Sequence, residues 1–102
     1  MPFESAELAV SPQLATLSLG SLAKGFRGRI VRVGGPGLHG IPAGDAAELE
    51  RRLLEIGFIE DALVEIVHEG LVGRDPIAIR VNETTVALRR REANAILVEP
   101  AG

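Results

Sequence analysis

The chain has 102 residues, of which 46% are hydrophobic and 25% are charged, and its formal net charge is −3. This length predicts a single domain with one modest core. The absence of Cys excludes a disulfide scaffold, a thiol enzyme and a cysteine zinc module. The absence of Trp and Tyr removes the aromatic groove with which proteins bind proline-rich peptides, and most of the stacking surface with which they bind single-stranded nucleic acids. The net negative charge provides no overall attraction to phosphate backbones or anionic lipids.

The N-terminal stretch lacks a clean hydrophobic period. We expect residues 1–18 to form a poorly ordered arm and residues 19–100 to form the folded domain. The longest uncharged stretch, residues 8–23, is interrupted by polar residues and preceded by acidic ones, so it fits neither a membrane-spanning helix nor a signal peptide. The chain is therefore expected to be cytoplasmic.

The first predicted strand covers residues 26–33, where side chains alternate with period two. Residues 34–44 follow with five Gly and two Pro, a composition typical of a loop. These glycines do not have the spacing of a dinucleotide-binding or P-loop motif, so the segment is interpreted as a connection and not as a phosphate site.

A helix is predicted after this loop. Asp45 is the expected N-cap, with Glu48 as its capping-box partner, and Gly57 is expected to end the helix in a left-handed conformation. Leu54 is expected to widen the buried stripe of the helix. That stripe is predicted to consist of Leu49, Leu53 and Ile56.

The second half of the chain is predicted to consist of short strands. They are expected at residues 63–68, 77–81, 84–88 and 95–99, separated by a loop at 69–75, a tight turn at 82–83 and one helical turn at 89–94. Short strands at this spacing, with one main helix inserted, predict a small, mostly antiparallel β-barrel.

Catalytic and metal-binding motifs are not evident in the sequence. His39 and His68 are the only histidines, and a candidate metal pair, His68 with Glu69, is a weak signal because no further ligand follows at a typical spacing. No Ser stands in a G-x-S-x-G elbow, and no nucleophile, base and orienting group can be assembled. The chain is therefore expected not to be an enzyme.

Two kinds of surface feature are candidates for binding. One is basic: the run Arg89, Arg90 and Arg91 could contact an anion or a partner, although a solvated face is the ordinary interpretation. The other is apolar: Phe58–Ile59, just after the predicted helix, and Leu71–Val72, between two glycines, form a contact patch if they are exposed and part of the core if they are not.

Several motifs in a fixed order resemble those of the FeoA family, the small cytoplasmic proteins of bacterial ferrous iron uptake. The similarity covers most of the chain, from about residue 18 to residue 99. The segments that carry it are Gly28–Val33, Arg52–Phe58, Val64–Val67, Gly73–Val81, Val86–Ala93 and Ala95–Val98. Two departures are Glu60–Asp61, where the family often has Pro-Gly, and the long segment 34–44.

The resemblance implies an SH3-like barrel of about five strands with a helix packed across one end. It also implies a non-catalytic accessory protein that binds and modulates a FeoB-type membrane permease through the permease's cytoplasmic part. For such a complex we expect the contact surface near the end of the helix, without a required cofactor. The residues are Leu54, Gly57, Phe58 and Ile59.

Two alternatives stay open at this point. Since the same barrel type forms the C-terminal domain of iron-dependent repressors, the chain could be a regulatory module that docks on such a repressor, although too few residues precede its first strand for a DNA-reading domain. It could also be a weak binder of divalent metal such as ferrous iron, using imidazole and carboxylate ligands.

Overall fold

The computed structural model describes residues 16–34, 38 and 40–101. Residues 1–15 of the predicted arm lie outside the described residues, as do residues 35–37 and 39 of the glycine-rich segment, so the candidate His39 lies outside them too. The last residues assigned to the arm, Leu17 and Ser18, form a short strand that pairs with the end of the chain.

The described residues form six strands and two α-helices, with a 3-10 turn at Leu19–Ser21. Their bounds are β1 (Leu17–Ser18), β2 (Arg27–Val33), α1 (Ala43–Ile56), β3 (Leu63–Val72), β4 (Asp75–Val81), β5 (Thr84–Leu88), α2 (Arg90–Ala93) and β6 (Ile96–Pro100). The strands form one antiparallel sheet in the order β1-β6-β2-β3-β4-β5. The prediction of a mostly β fold with one main helix is confirmed.

The sheet has six strands instead of about five because β1 adds a two-residue pair to β6. β1 and β5 occupy the two edges, and within the described ranges they do not pair with each other, so the sheet is open and not a closed barrel. No helix in the described part of the chain is long and apolar enough to span a membrane.

The core is formed by the alternating inward residues of the strands and by two leucines of α1. The alternation predicted for residues 77–81 is confirmed, because Ile77, Ile79 and Val81 are fully buried. The remaining buried hydrophobic residues are Leu19, Ile30, Leu49, Leu53, Phe58, Val64, Ile66, Leu88, Ala93, Ala95, Ile96 and Val98.

The helix begins three residues earlier than predicted and without a side-chain cap. Pro42 is the N-cap residue, so Asp45 lies in the first turn and the predicted capping box with Glu48 is wrong. Pro is favourable close to a helix start because its φ is already helical and it has no N–H to satisfy. Gly57 ends the helix with φ of +122°, as predicted.

The predicted buried stripe of α1 is confirmed only in part. Leu49 and Leu53 are buried, but Ile56 and Leu54 are 36% and 43% exposed. Ile56 is the last helical residue, and the next buried hydrophobic side chain is that of Phe58, after the chain reverses at Gly57. The helix therefore contributes two anchoring leucines and leaves its C-terminal end uncovered.

The strand after the helix is longer than predicted. β3 continues through the segment 69–72, which was predicted to be a loop, and only Gly73 and Arg74 form the turn to β4. Both turn residues have positive φ, +67° and +61°, as a two-residue turn between twisted strands requires. The pairing shifts between Glu69 and Val72, which is a bulge that plain alternation does not predict.

Candidate functional site

The apolar surface at the end of α1 is the first candidate site. Leu54, Ile56 and Ile59 are 43%, 36% and 50% exposed, and we call these three side chains the helix-end surface. Leu54 and Ile56 are two residues apart and leave the helix on different sides. The three residues therefore surround the helix end instead of forming a flat stripe.

Phe58 differs from the other residues predicted for this surface, because its side chain is completely buried. Its backbone N–H donates to the carbonyl of Leu53 at 3.0 Å, while the N–H of Gly57 donates to the carbonyls of Leu53 and Leu54. Gly57 provides the reversal because its φ of +122° is a backbone conformation that residues with a side chain rarely adopt. Phe58 and Gly57 therefore position the surface, and the exposed side chains of Leu54 and Ile59 are those that a partner can touch.

The turn that follows the helix is fastened to the neighbouring strand. The N–H of Asp61 donates to the carbonyl of Ile30 at 2.8 Å, and the N–H of Ile30 donates to the carbonyl of Ala62 at 2.9 Å. Asp61 has φ of +73°, a conformation that favours glycine and that Asp tolerates better than most residues. The departure from Pro-Gly at Glu60–Asp61 is thus accommodated in a left-handed turn.

The arginine run divides into one structural residue and two exposed residues. The guanidinium of Arg90 donates from Nε to the carbonyl of Arg74 at 2.9 Å and from Nη2 to Oε2 of Glu69 at 3.0 Å. Its Nη1 donates to the carbonyls of Gly20 and Leu22. Arg90 therefore ties the N-terminal 3-10 turn to the β3–β4 hairpin, whereas Arg89 and Arg91 are exposed.

Glu69 belongs to the same hydrogen-bonded cluster as Arg90. Its Oε2 accepts a hydrogen bond from the backbone N–H of Lys24 at 3.0 Å as well as from Arg90. The Lys24 hydrogen bond and the positive charges of Arg74 and Arg90 hold the pKa of the Glu69 carboxyl below its ordinary value. A carboxylate held by these donors is a poor candidate for a metal ligand.

The structure does not assemble the candidate metal pair. His68 pairs with Ala78 and Glu69 pairs with Ile77, and because cross-strand partners share a face, the two side chains lie on opposite faces of the sheet. Among residues 16–34, 38 and 40–101, no group of three His, Cys, Asp or Glu side chains is close enough to hold an ion. The described residues thus do not fit a closed metal site.

The second apolar candidate is the tip of the β3–β4 hairpin. Leu71 is 99% exposed and Val72 is 86% exposed, more than any other large hydrophobic residue in the described ranges. The sequence left this pair open between core and surface, and the structure places it on the surface. The sequence did not predict that Ile56 is exposed, because its spacing from Leu49 and Leu53 is that of a buried helical residue. It did not predict the structural role of Arg90 either, because the groups that accept its hydrogen bonds are distant in sequence.

Comparison with known proteins gives consistent results. The sequence model of the FeoA domain matches residues 17–100. The crystal structure of FeoA from Stenotrophomonas maltophilia, which is complexed with zinc, is 31% identical with a TM-score of 0.66, covering 81% of this chain and 89% of that one. No curated protein matches the chain.

Two further solved structures share the fold. The iron(II) transport protein A from Clostridium thermocellum is 31% identical with a TM-score of 0.65, and the match covers 82% of this chain and 45% of that chain. A manganese-dependent transcriptional repressor is 19% identical with a TM-score of 0.66, and the match covers 84% of this chain and 42% of the repressor. The second similarity shows a shared fold alone.

Proposed function

Because the chain belongs to the FeoA family of ferrous iron transport proteins, we propose that it is a non-catalytic accessory protein that binds the cytoplasmic part of a FeoB-type permease and modulates it. The contact is made by the helix-end surface. The observation that carries this proposal is the exposure of Leu54, Ile56 and Ile59 around one rigidly held helix end, in a chain whose family acts in iron uptake.

The helix-end surface has the physical properties of a small protein-contact site. Its three aliphatic side chains are between one third and one half exposed, so covering them is worth about 2–4 kcal/mol in total. Phe58 and the hydrogen bonds of the turn hold these side chains in place before binding, which reduces the entropy lost on association. A partner must enclose the helix end from more than one side, so we expect a concave apolar cup.

The charges beside the helix-end surface further define the partner. Glu60 and Asp61 are exposed and directly follow Ile59. On the helix, the guanidinium of Arg51 bonds both Glu48 and Glu55, at 2.8 Å in the case of Glu55, so these charges are largely paired with one another. Within the described residues Glu60 and Asp61 form no salt bridge, and this acidic edge near Ile59 favours a cup with basic residues on its rim.

Isothermal titration calorimetry of the chain against the soluble cytoplasmic domain of the permease, with and without guanine nucleotide, tests the proposal. We expect Ile59→Ser to weaken binding about fivefold to tenfold and the double variant Leu54→Ser/Ile59→Ser to weaken it about thirtyfold or more. Val31→Ser is the matched control, because Val31 is 36% exposed on β2 and lies outside the helix-end surface. Absence of binding at high micromolar concentration, or equal loss with the control, contradicts the proposal.

Docking on an iron-dependent repressor is the alternative function. Its support is the shared fold with the manganese-dependent repressor, of which the match covers 42%. A gel-retention assay with DNA separates the two functions. If the chain docks on an iron-dependent repressor, adding it should further retard a complex of that repressor with its DNA, whereas the accessory function predicts no change.

A further inference from the structure

The tip of the β3–β4 hairpin, Leu71–Arg74, presents aliphatic side chains to solvent in a fixed geometry. The bulge between Glu69 and Val72 places two residues, Gly70 and Leu71, opposite Pro76, and bulges of this kind re-aim a side chain. Gly70 is required there, because a Cβ would lie 2.4 Å from the carbonyl oxygen of Asp75. The backbones of β3 and β4 thus lie close together at Gly70, while the side chain of Leu71 points outward.

The turn has the backbone conformation of a tight two-residue hairpin. Gly73 and Arg74 adopt the two left-handed conformations of a tight hairpin turn, and Val72 pairs with Asp75 on either side of it. Two neighbouring aliphatic residues that are almost fully exposed cost solvation free energy in the free protein. That cost is recovered only when the tip enters an apolar medium.

Exposed cations lie in the hairpin turn and on the segments that are hydrogen-bonded to the hairpin. The backbone N–H of Lys24 and the guanidinium of Arg90 both donate to the carboxylate of Glu69. The guanidinium of Arg90 also donates to the backbone carbonyl of Arg74. Arg89 and Arg91 flank Arg90 in the chain and line one depression together with Asp75. We call the four exposed residues the basic collar: Lys24, Arg74, Arg89 and Arg91.

The basic collar gives this end of the molecule a charge opposite to that of the whole chain. With Arg90 it comprises five cations, against three acidic residues that are already hydrogen-bonded within the cluster: Glu69, Asp75 and Glu92. The whole chain carries −3. The local field therefore attracts anions that the net charge of the molecule repels.

We infer that the hairpin tip inserts into the surface of an anionic lipid bilayer while the basic collar binds the lipid phosphates. Leu71 and Val72 supply the apolar wedge, and guanidinium groups such as those of Arg89 and Arg91 bind phosphate oxygens with paired N–H donors. A bilayer fits better than a protein groove because its apolar interior lies directly beneath a layer of anionic headgroups, which matches an apolar tip that has cations on neighbouring segments. The chain would thus dock peripherally beside the permease through a surface distinct from the helix-end surface.

Vesicle sedimentation with the full chain is the test. We expect binding to mixed phosphatidylglycerol–phosphatidylcholine vesicles at low salt, with much weaker binding to phosphatidylcholine alone and loss of binding as salt is raised. Leu71→Ser/Val72→Ser should reduce partitioning about thirtyfold or more. Arg89→Gln/Arg91→Gln should reduce it about 25-fold, since each basic residue near the surface contributes about a factor of five.

Matched controls separate this surface from the others. Leu54→Ser/Ile59→Ser on the helix-end surface and Arg27→Gln/Arg32→Gln on β2 should leave vesicle binding unchanged. Because the chain has no Trp, Leu71→Trp provides a single fluorophore whose emission should shift to the blue with anionic vesicles, and Ile59→Trp should not shift.

Three results would overturn the inference. They are no binding to anionic vesicles at low salt, equal binding to neutral vesicles, and binding that is unaffected by the tip variant. If vesicles do not bind but the tip variant weakens association with the permease's soluble domain, the tip contacts a protein instead. Loss of permease binding by the helix-end variants alone bears on the proposed function and leaves the membrane inference intact.

Discussion

Substitution of Phe58 tests whether this residue supports the fold beneath the contact surface or contacts the partner itself. The sequence placed Phe58 among the contact residues, and the structure buries its side chain completely. Truncation of Phe58 should therefore reduce the stability of the fold, while leaving the affinity of the molecules that remain folded close to that of the wild type.

The magnitude follows from the complete burial of the ring. Phe58→Ala removes a fully buried aromatic side chain and should lower the free energy of unfolding by about 3–5 kcal/mol. Phe58→Leu retains much of the volume and should cost about 1–2 kcal/mol. For a domain of this size, about 1 kcal/mol corresponds to roughly 5 °C in melting temperature, so the expected decreases are about 15–25 °C and about 5–10 °C.

Thermal melts followed by circular dichroism, together with urea titrations, measure these changes. Ile59→Ala is the control, because Ile59 is half exposed and should shift the melting temperature by only a few degrees. The Leu variant is then assayed for permease binding well below its melting temperature. A Phe58→Leu protein that melts like the wild type but has lost binding would refute the reasoning, because Phe58 would then be a contact residue.

Four other substitutions probe the remaining features. Arg90→Met should lower the free energy of unfolding by about 2–4 kcal/mol in urea titrations, since it removes the guanidinium that donates to three carbonyls and to the carboxylate of Glu69, whereas Arg91→Met should change it by less than about 0.5 kcal/mol. Because the pKa of Glu69 is lower in the folded state, its carboxylate should contribute fully to the stability of the fold above the ordinary carboxyl pKa, and this contribution should be lost as pH falls through the folded-state pKa. The melting temperatures of Glu69→Gln and the wild type should therefore converge in acid. A difference that stays constant with pH would contradict this. Gly57→Val should cost more than about 2 kcal/mol in the same titrations, through its positive φ and its contact with a neighbouring amide. His68→Ala should leave the affinity for ferrous iron or zinc unchanged in calorimetric titrations, and a marked loss would restore that histidine as a ligand.

Much of the fold was predictable because its signals are local. Strict alternation at 77–81 and the strand at 84–88 follow from period two, and the positive φ of Gly57 follows from the chemistry of helix ends. The turn at 82–83 was also predictable without glycine, since Asn82 and Glu83 both adopt left-handed φ between two paired strands.

The features that escaped prediction depend on distant contacts. Ile56 has the correct period for burial, yet its side chain is 36% exposed while that of Phe58, two residues later, is fully buried, and this difference depends on tertiary packing. The extension of β3 to Val72 depends on a bulge opposite Pro76, which the composition of the segment, with its two glycines, concealed. The sequence therefore predicted where along the chain the candidate sites lie, but it did not predict which of their side chains are exposed.

The Arg90 cluster has a consequence for the kinetics of folding and unfolding. Arg90 binds the carbonyls of Gly20 and Leu22, which are 70 and 68 residues away along the chain, and Glu69 on a third segment. These bonds can form only after the N-terminal turn, the hairpin and α2 have met, so we expect them to be absent from the transition state for folding. Interactions of that kind slow unfolding without accelerating folding. Arg90 would then set how long a folded molecule persists, and not how quickly one is made.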